Sequence, residues 1–346
     1  MIKSQLTRIA SIITDIALLH PTNEEEERKK FFANENYNPQ FTYKEIPFPL
    51  FAFKKDLEQL LQQPQDDDER ISNLIQERVR ELLTWLELQA QRGKEGFTDA
   101  SLRIYGQPSR RLIEEATRFL KTTPETCPEE KTLTAQEIIQ PLKDALKEEQ
   151  LDWEVALTDK ISTRINILKG KELRINPNAH FSPQDLKKII IHEIKTHARR
   201  YKNGQAQPYD IFETGTAHFL ETEEGLATYN EDQAGVLTNN VKRRLAVRVL
   251  AVNKALTSSF SDVYNFIQPF VGEDHAYNIA LSVKRGLSDT SKPGAFTKPF
   301  IYFSGWKKIQ QLSPQDRQLL LIGKISFLHL PLIKELIKEQ KLEVNP

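Results

Sequence analysis

The sequence predicts an α+β fold that is predominantly helical, with one small antiparallel sheet. Three observations carry this expectation. Apolar residues recur at helical spacing through most of the 346 residues, the period shortens to two only between residues 153 and 175, and a strongly capped helix follows that stretch.

Taken in order, residues 2–19 read as an opening helix, and the charged run 24–30 as a solvated helix face. Residues 37–43 and 46–51 are punctuated by Pro39, Pro47 and Pro49, which disfavours regular helix and predicts extended chain laid across a surface. Helical spacing returns over residues 56–88, with the acidic stretch 66–69 as an exposed helix start. Residues 92–96 form a loop, 109–120 a helix, 122–132 a loop and 135–149 a helix. Residues 153–157, 164–168 and 172–175 alternate as strands, and Lys169-Gly170-Lys171 supplies a hairpin turn between the last two. The next helix opens with Ser182 as N-cap, Pro183 in the first turn and Asp185 as capping acid, and is expected to end at Asn203-Gly204. Residues 319–337 read as helical core. No clean linker divides the chain; the expected organisation is an N-terminal helical region, 1–150, packed on a core of residues 151–346.

Composition narrows the function classes. Forty-eight basic side chains balance 48 acidic ones, which argues against nucleic acid or a membrane surface as partner. No apolar run suits a membrane span or a signal peptide, and the lone Cys127 cannot form an intrachain bridge, so a cytoplasmic location is expected.

The chemistry concentrates in His192-Glu193-Ile194-Lys195-Thr196-His197. Two imidazoles around a glutamate suit a zinc hydrolase, in which the histidines hold the ion and the adjacent carboxylate moves protons. The spacing is one residue longer than in the common HExxH arrangement. On a regular α-helix, residues five apart diverge by about 140°, so the helix must widen into a π-bulge or end near Thr196 for both rings to reach one ion. Catalytic zinc usually takes three protein ligands and keeps an open position. Glu224, 27 positions after His197 in Thr222-Glu223-Glu224-Gly225-Leu226-Ala227, is the candidate third ligand. Gly225 would let another backbone approach closely, and Glu231 lies on the face of Glu224, where it could orient a ligating imidazole. His180, His218 and His275 read as structural, with His218 as the alternate ligand.

These motifs, with residues 203–208, resemble the tyrosine carboxypeptidase family of zinc metallopeptidases. Its animal members remove the C-terminal tyrosine of α-tubulin, and its bacterial members carry a QEGLA motif. Residues 37–43, 97–108, Arg285-Gly286, Phe296-Thr297-Lys298, Tyr302 and Gly323-Lys324-Ile325 extend the likeness over roughly residues 25–337. The resemblance implies one zinc ion on His192, His197 and Glu224, with Glu193 as catalytic base. Here the third motif keeps its glutamate before glycine but begins Thr-Glu, and Lys195 stands where the family commonly has glycine.

The expected activity is a zinc-dependent carboxypeptidase acting on a protein or peptide with a free C-terminus. Tyr302 is the candidate oxyanion donor, while Arg285 offers a fork and Lys298 a point charge for the terminal carboxylate. The strand 164–168 could pair with an extended substrate. A zinc endopeptidase or amidase, and a metal-binding regulatory protein without activity, are the alternatives; the intact Glu193 weighs against the last.

Overall fold

The computed structural model describes residues 2–62, 66–121, 130–161, 164–168 and 172–344. Cys127 and the turn at residues 169–171 lie outside the described residues. The fold is mostly helical with a small sheet, as expected. The chain divides into two compact units, one of residues 1–124, 216–221 and 239–304, the other of residues 125–215, 222–238 and 305–346.

In the first unit, helices Ile2–Ile13, Leu50–Leu61 and Glu69–Ala90 bury an apolar stripe each around Trp85, Leu57 and Ile9. The opening helix stops at Ile13, because Asp15 turns to accept a hydrogen bond from the Ala17 amide and starts a short 3₁₀ turn, Ile16–Leu19. The second helix starts at Leu50, six residues before the expected point. Pro49 occupies its N-cap, where a missing N–H costs nothing, and Phe53, Leu57 and Leu60 then share one buried face. The acidic stretch does start a helix, with the Asp68 side chain capping the Arg70 amide.

The charged run 24–30 departs from a purely solvated face. Within helix Glu24–Ala33, Glu27 is buried and accepts hydrogen bonds from Tyr37 Oη (2.7 Å), the Gln40 amide (2.6 Å) and Lys30 Nζ (2.8 Å). A carboxylate with three donors can leave water, and this one anchors the extended stretch that follows. That stretch crosses the 287–290 segment: the Phe41 amide donates to Ser288 O and Tyr43 Oη to Leu287 O, while the Gly286 amide donates to Tyr43 Oη. Gly286 has φ +88°, and a Cβ there would stand 1.9 Å from the Phe97 ring, so Arg285-Gly286 is packed directly onto helix Phe97–Tyr105.

The second unit holds the strands β1 (Leu133–Thr134), β2 (Glu154–Leu157), β3 (Ile165–Leu168), β4 (Glu172–Ile175) and β5 (His180–Phe181). β3 and β4 pair antiparallel, Ile165 opposite Ile175, as the hairpin pattern predicts. β2 instead joins the far side of β4 in parallel, Glu154 opposite Glu172, so the three-stranded sheet has the order β2-β4-β3. Alternation reports which face a side chain takes and is silent on strand direction, so the parallel pair was not readable from the pattern. Helix Ala135–Glu148 covers this sheet, opened by a capping box of Thr134 and Glu137, and its Ile138 and Leu142 pack with Leu173, Ile175 and Ile194.

The stretch 319–337 is less regular than expected. Helix Pro314–Leu319 runs into a 3₁₀ turn, Leu320–Ile322, and after a break a second 3₁₀ turn, Phe327–His329, leads into α-helix Leu330–Lys338. The carbonyls of Leu320, Gly323 and Ile325 accept from the guanidinium of buried Arg200, at 2.8, 3.0 and 2.7 Å, which gives them a donor where α-helix is interrupted.

Candidate metal centre

The helix that carries the histidines begins as Pro183–Ile189, with Ser182 and Asp185 forming the expected capping box. From Ile190 to Ala198 it widens into a π-helix, then continues as α-helix Arg199–Ala206. The π segment contains the whole His192–His197 motif. Bonding to the fifth residue instead of the fourth brings residues five apart toward one face, and the two imidazole rings stand with centroids 4.7 Å apart, at 82° to each other. Thr196 supports the widening: its Oγ1 donates to Ile191 O, five residues back, at 2.8 Å and accepts from Asn230 Nδ2 at 2.9 Å.

Asn203-Gly204 does not end this helix. A Cβ at Gly204 would lie 2.2 Å from Phe212 O, and Asn203 Nδ2 donates to Leu321 O at 2.8 Å. The glycine serves a close backbone approach, and the helix passes through it to a C-cap at Gln207.

The second contributing helix is Phe219–Gln233. Gly225 brings it against the backbone of Gly305, where a Cβ would meet the Gly305 carbonyl carbon at 2.4 Å, which fits the close approach expected of that glycine. On this helix Glu224 Oε2 comes within 3.9 Å of His192 Nε2. His192, Glu193 and His197 offer ligand atoms that all lie within 4.8 Å of one another, and all three are partly buried. Two imidazoles, with Glu193 and Glu224 beside them, form a nitrogen and carboxylate donor set that suits a divalent transition ion.

The outer nitrogens of both rings are held. His192 Nδ1 donates to Glu231 Oε1 at 2.5 Å, and His197 Nδ1 to Glu223 Oε1 at 2.7 Å. A carboxylate on Nδ1 sets the ring's tautomer and orientation, so Nε2 is left as the coordinating atom. Each carboxylate is itself paired, Glu231 with Lys188 at 3.4 Å and Glu223 with the guanidinium of Arg200. Burial opposes charge on Glu223, yet the Arg200 and His197 charges outweigh it and hold its carboxyl at about 2. For His197, burial likewise opposes the charged form, and the charge and hydrogen bond of Glu223 overcome it, raising the ring to about 9.

Glu231 lies where the sequence reading put it. Glu223 and Arg200 were missed, although Arg200 sits three residues after His197, on the same helix flank, and Glu223 directly precedes Glu224. Lys195 turns outward and pairs with Glu148 at 3.2 Å. His218 lies in the other unit, where its amide donates to Glu81 and its ring faces the same carboxylate at 3.6 Å. Arg285, Lys298 and Tyr302 also belong to that unit and line a single cavity there, with Lys298 Nζ 3.5 Å from Tyr302 Oη. A cavity of about 620 Å³ beside β2, lined by Lys143, Leu151 and Trp153, contains none of the residues singled out from the sequence.

The chain that assembles this geometry matches a family model described as microtubule-associated tyrosine carboxypeptidase. That model matches residues 29–345. The chain belongs to this family. It is 26% identical over 325 residues to microtubule-associated tyrosine carboxypeptidase 1 of Rattus norvegicus, covering 90% of this chain and 60% of that protein. The protein of the same name from Mus musculus is 26% identical over 326 residues, with the same coverage. The chain thus spans about 60% of the length of these curated relatives. Among the described residues, no helix is long and apolar enough to cross a membrane.

Proposed function

We propose that this chain is a zinc-dependent carboxypeptidase that removes a C-terminal residue from a protein or peptide, working in the cytoplasm. The observation that carries the reading is the π segment, which brings His192 and His197 to one face beside Glu224 while leaving Glu193 next to them. Family membership supports a hydrolase of carboxypeptidase type, and a tyrosine-type specificity follows the names of the relatives.

His192, His197 and Glu224 would hold the ion. Zinc, when bound, supplies a Lewis acid for the scissile carbonyl and acidifies water at its open position to a pKa of about 7. Glu193 takes the proton from the attacking water and returns it to the leaving amine. Glu231 and Glu223 keep the two rings in register and the Nδ1 protons in place. Arg285 and Lys298 are assigned to the terminal carboxylate on their chemistry, a planar fork and a compact charge, and Tyr302 to the developing oxyanion as an O–H donor.

Elemental analysis of purified protein, coupled to mass-spectrometric profiling of a C-terminal peptide library, tests the proposal. One equivalent of zinc and loss of single C-terminal residues are expected. Glu193→Gln should keep the metal and lower turnover by about 10²- to 10⁴-fold. Cleavage that survives amidation of the substrate terminus would indicate an endopeptidase or amidase instead.

A further inference from the structure

Two stretches singled out from the sequence, residues 203–208 and Gly323-Lys324-Ile325, play no direct part in the metal chemistry, yet they meet inside the second compact unit. Arg200, Asn203 and Gln207 stand three and four positions apart on the helix that carries the histidines and its C-cap, and all three are buried. Their side chains donate to one segment of backbone. Arg200 reaches the carbonyls of Leu320, Gly323 and Ile325, Asn203 Nδ2 that of Leu321 at 2.8 Å, and Gln207 Nε2 that of Ile322 at 3.3 Å. The Lys324 amide donates to Phe212 O at 2.7 Å, and a Cβ at Gly323 would stand 2.9 Å from the same oxygen. The segment then crosses to the helix of Glu224, where the Phe327 amide donates to Thr222 Oγ1 at 2.9 Å. Glu223, the next residue, accepts from His197 Nδ1 on Oε1 and from Arg200 on Oε2.

A guanidinium is a rigid plane of five donors. Held by a single carboxylate it can still swing about that contact, whereas three carbonyls on its other edges fix the plane. The direction from which Arg200 meets Glu223 is therefore set by the backbone of residues 320–325, and Glu223 passes that direction to the His197 ring. The other ring has a separate hold, because Glu231 and Lys188 orient His192 without touching this segment. A ligand ring that is already aimed loses less freedom when an ion arrives, so partners of this kind raise metal affinity without contacting the metal.

We propose that residues 320–327 form a positioning bracket for the candidate metal centre, orienting His197 through Arg200 and Glu223 and bound through Thr222 to the helix that supplies Glu224. Its consequence for metal affinity rests on the proposed function; its hold on the His197 ring does not.

Gly323→Ala tests the bracket, because the added methyl group must push the segment away from Phe212 and touches neither histidine. In the full chain stripped of metal, nitrogen-15 NMR reads the Nδ1–H signal of each ring. The His197 signal should broaden and exchange faster with water, while that of His192 stays as in the wild type. Zinc affinity, measured by competition with a chelator, should fall about tenfold. Should Gly323→Ala not fold, Asn203→Ala removes a single neutral hydrogen bond to Leu321 O and should change the same signal, with a severalfold loss of zinc affinity. Arg200→Lys keeps a charge beside Glu223 but gives up the fork, so it should not restore either readout. A folded variant whose His197 signal matches the wild type, or one in which both histidine signals change alike, overturns the bracket. A wild type that binds no zinc would overturn the proposed function, and the contrast between the two rings would still decide this inference.

Discussion

The histidine helix and the arginine cavity solve opposite problems. Around the π segment the two imidazoles and the carboxylates that hold them are paired within the protein: each imidazole has a carboxylate, Glu231 and Glu223 each a cation, and Arg200 a set of carbonyls. In the arginine cavity, lined by Arg244 and Arg248 as well as Arg285, burial and the neighbouring Arg248 disfavour the charged form of Arg244, and among the described lining residues there is no carboxylate. The first arrangement is pre-organised by the fold, so its geometry is set before anything binds. The second keeps several cations together around a cavity. Removing a residue should therefore damage stability in the first region and affinity in the second.

The largest effect expected from this contrast is at Arg200. Arg200→Met leaves buried Glu223 without its principal counter-charge and takes a donor away from the carbonyls of Leu320, Gly323 and Ile325. Loss of one partner of a buried pair typically costs about 3–5 kcal/mol, measurable by chemical denaturation; a loss below about 1 kcal/mol would show that the region is not held in this way. The same pair sets an acid limit in the metal-free protein. Glu223 is held at about 2, below its ordinary value of 4.5, so its contribution is complete above that ordinary value and disappears as pH falls through about 2. Arg200→Met should move acid unfolding to higher pH, followed by circular dichroism.

Next in size is Glu231→Gln. With its acceptor weakened, His192 keeps its place on the helix but loses the partner that orients its ring. Zinc affinity should fall about 10- to 100-fold with little change in thermal stability, measured by competition with a chelator. Unchanged affinity would separate Glu231 from the centre. The smallest effect is at Lys195, whose exposed pair with Glu148 faces away from the histidines. Lys195→Ala should change stability by less than about 1 kcal/mol and leave metal content as it is; a change in metal content would bring Lys195 back into the site.

Legibility followed the range of each interaction. The cap at Ser182 and Asp185 is a contact between residues three apart, and it forms as read. The five-residue spacing of the histidines forced a choice between a π-bulge and a helix end, and the chain takes the first. Gly225 was correctly read as a place of close approach, while Gly204, read by the same chemistry as a helix end, turned out to be a second such place. A glycine signals either use, and only the segment packed against it distinguishes them. Each compact unit is assembled from three separated stretches of chain, so no single boundary in the sequence could have marked the division.

The sequence alone determined the helical character, the capped histidine helix, the need for either a widened turn or a helix end between the histidines and the residue types that could grip a metal, because hydrogen-bond period and side-chain chemistry are local properties. Tertiary structure decided the parallel seating of β2, the burial of Glu27, the carbonyl cradle around Arg200 and the gathering of Arg244, Arg248 and Arg285 in one cavity. Each of these depends on segments far apart in the chain meeting in space, and no pattern within a single segment records who its neighbour will be.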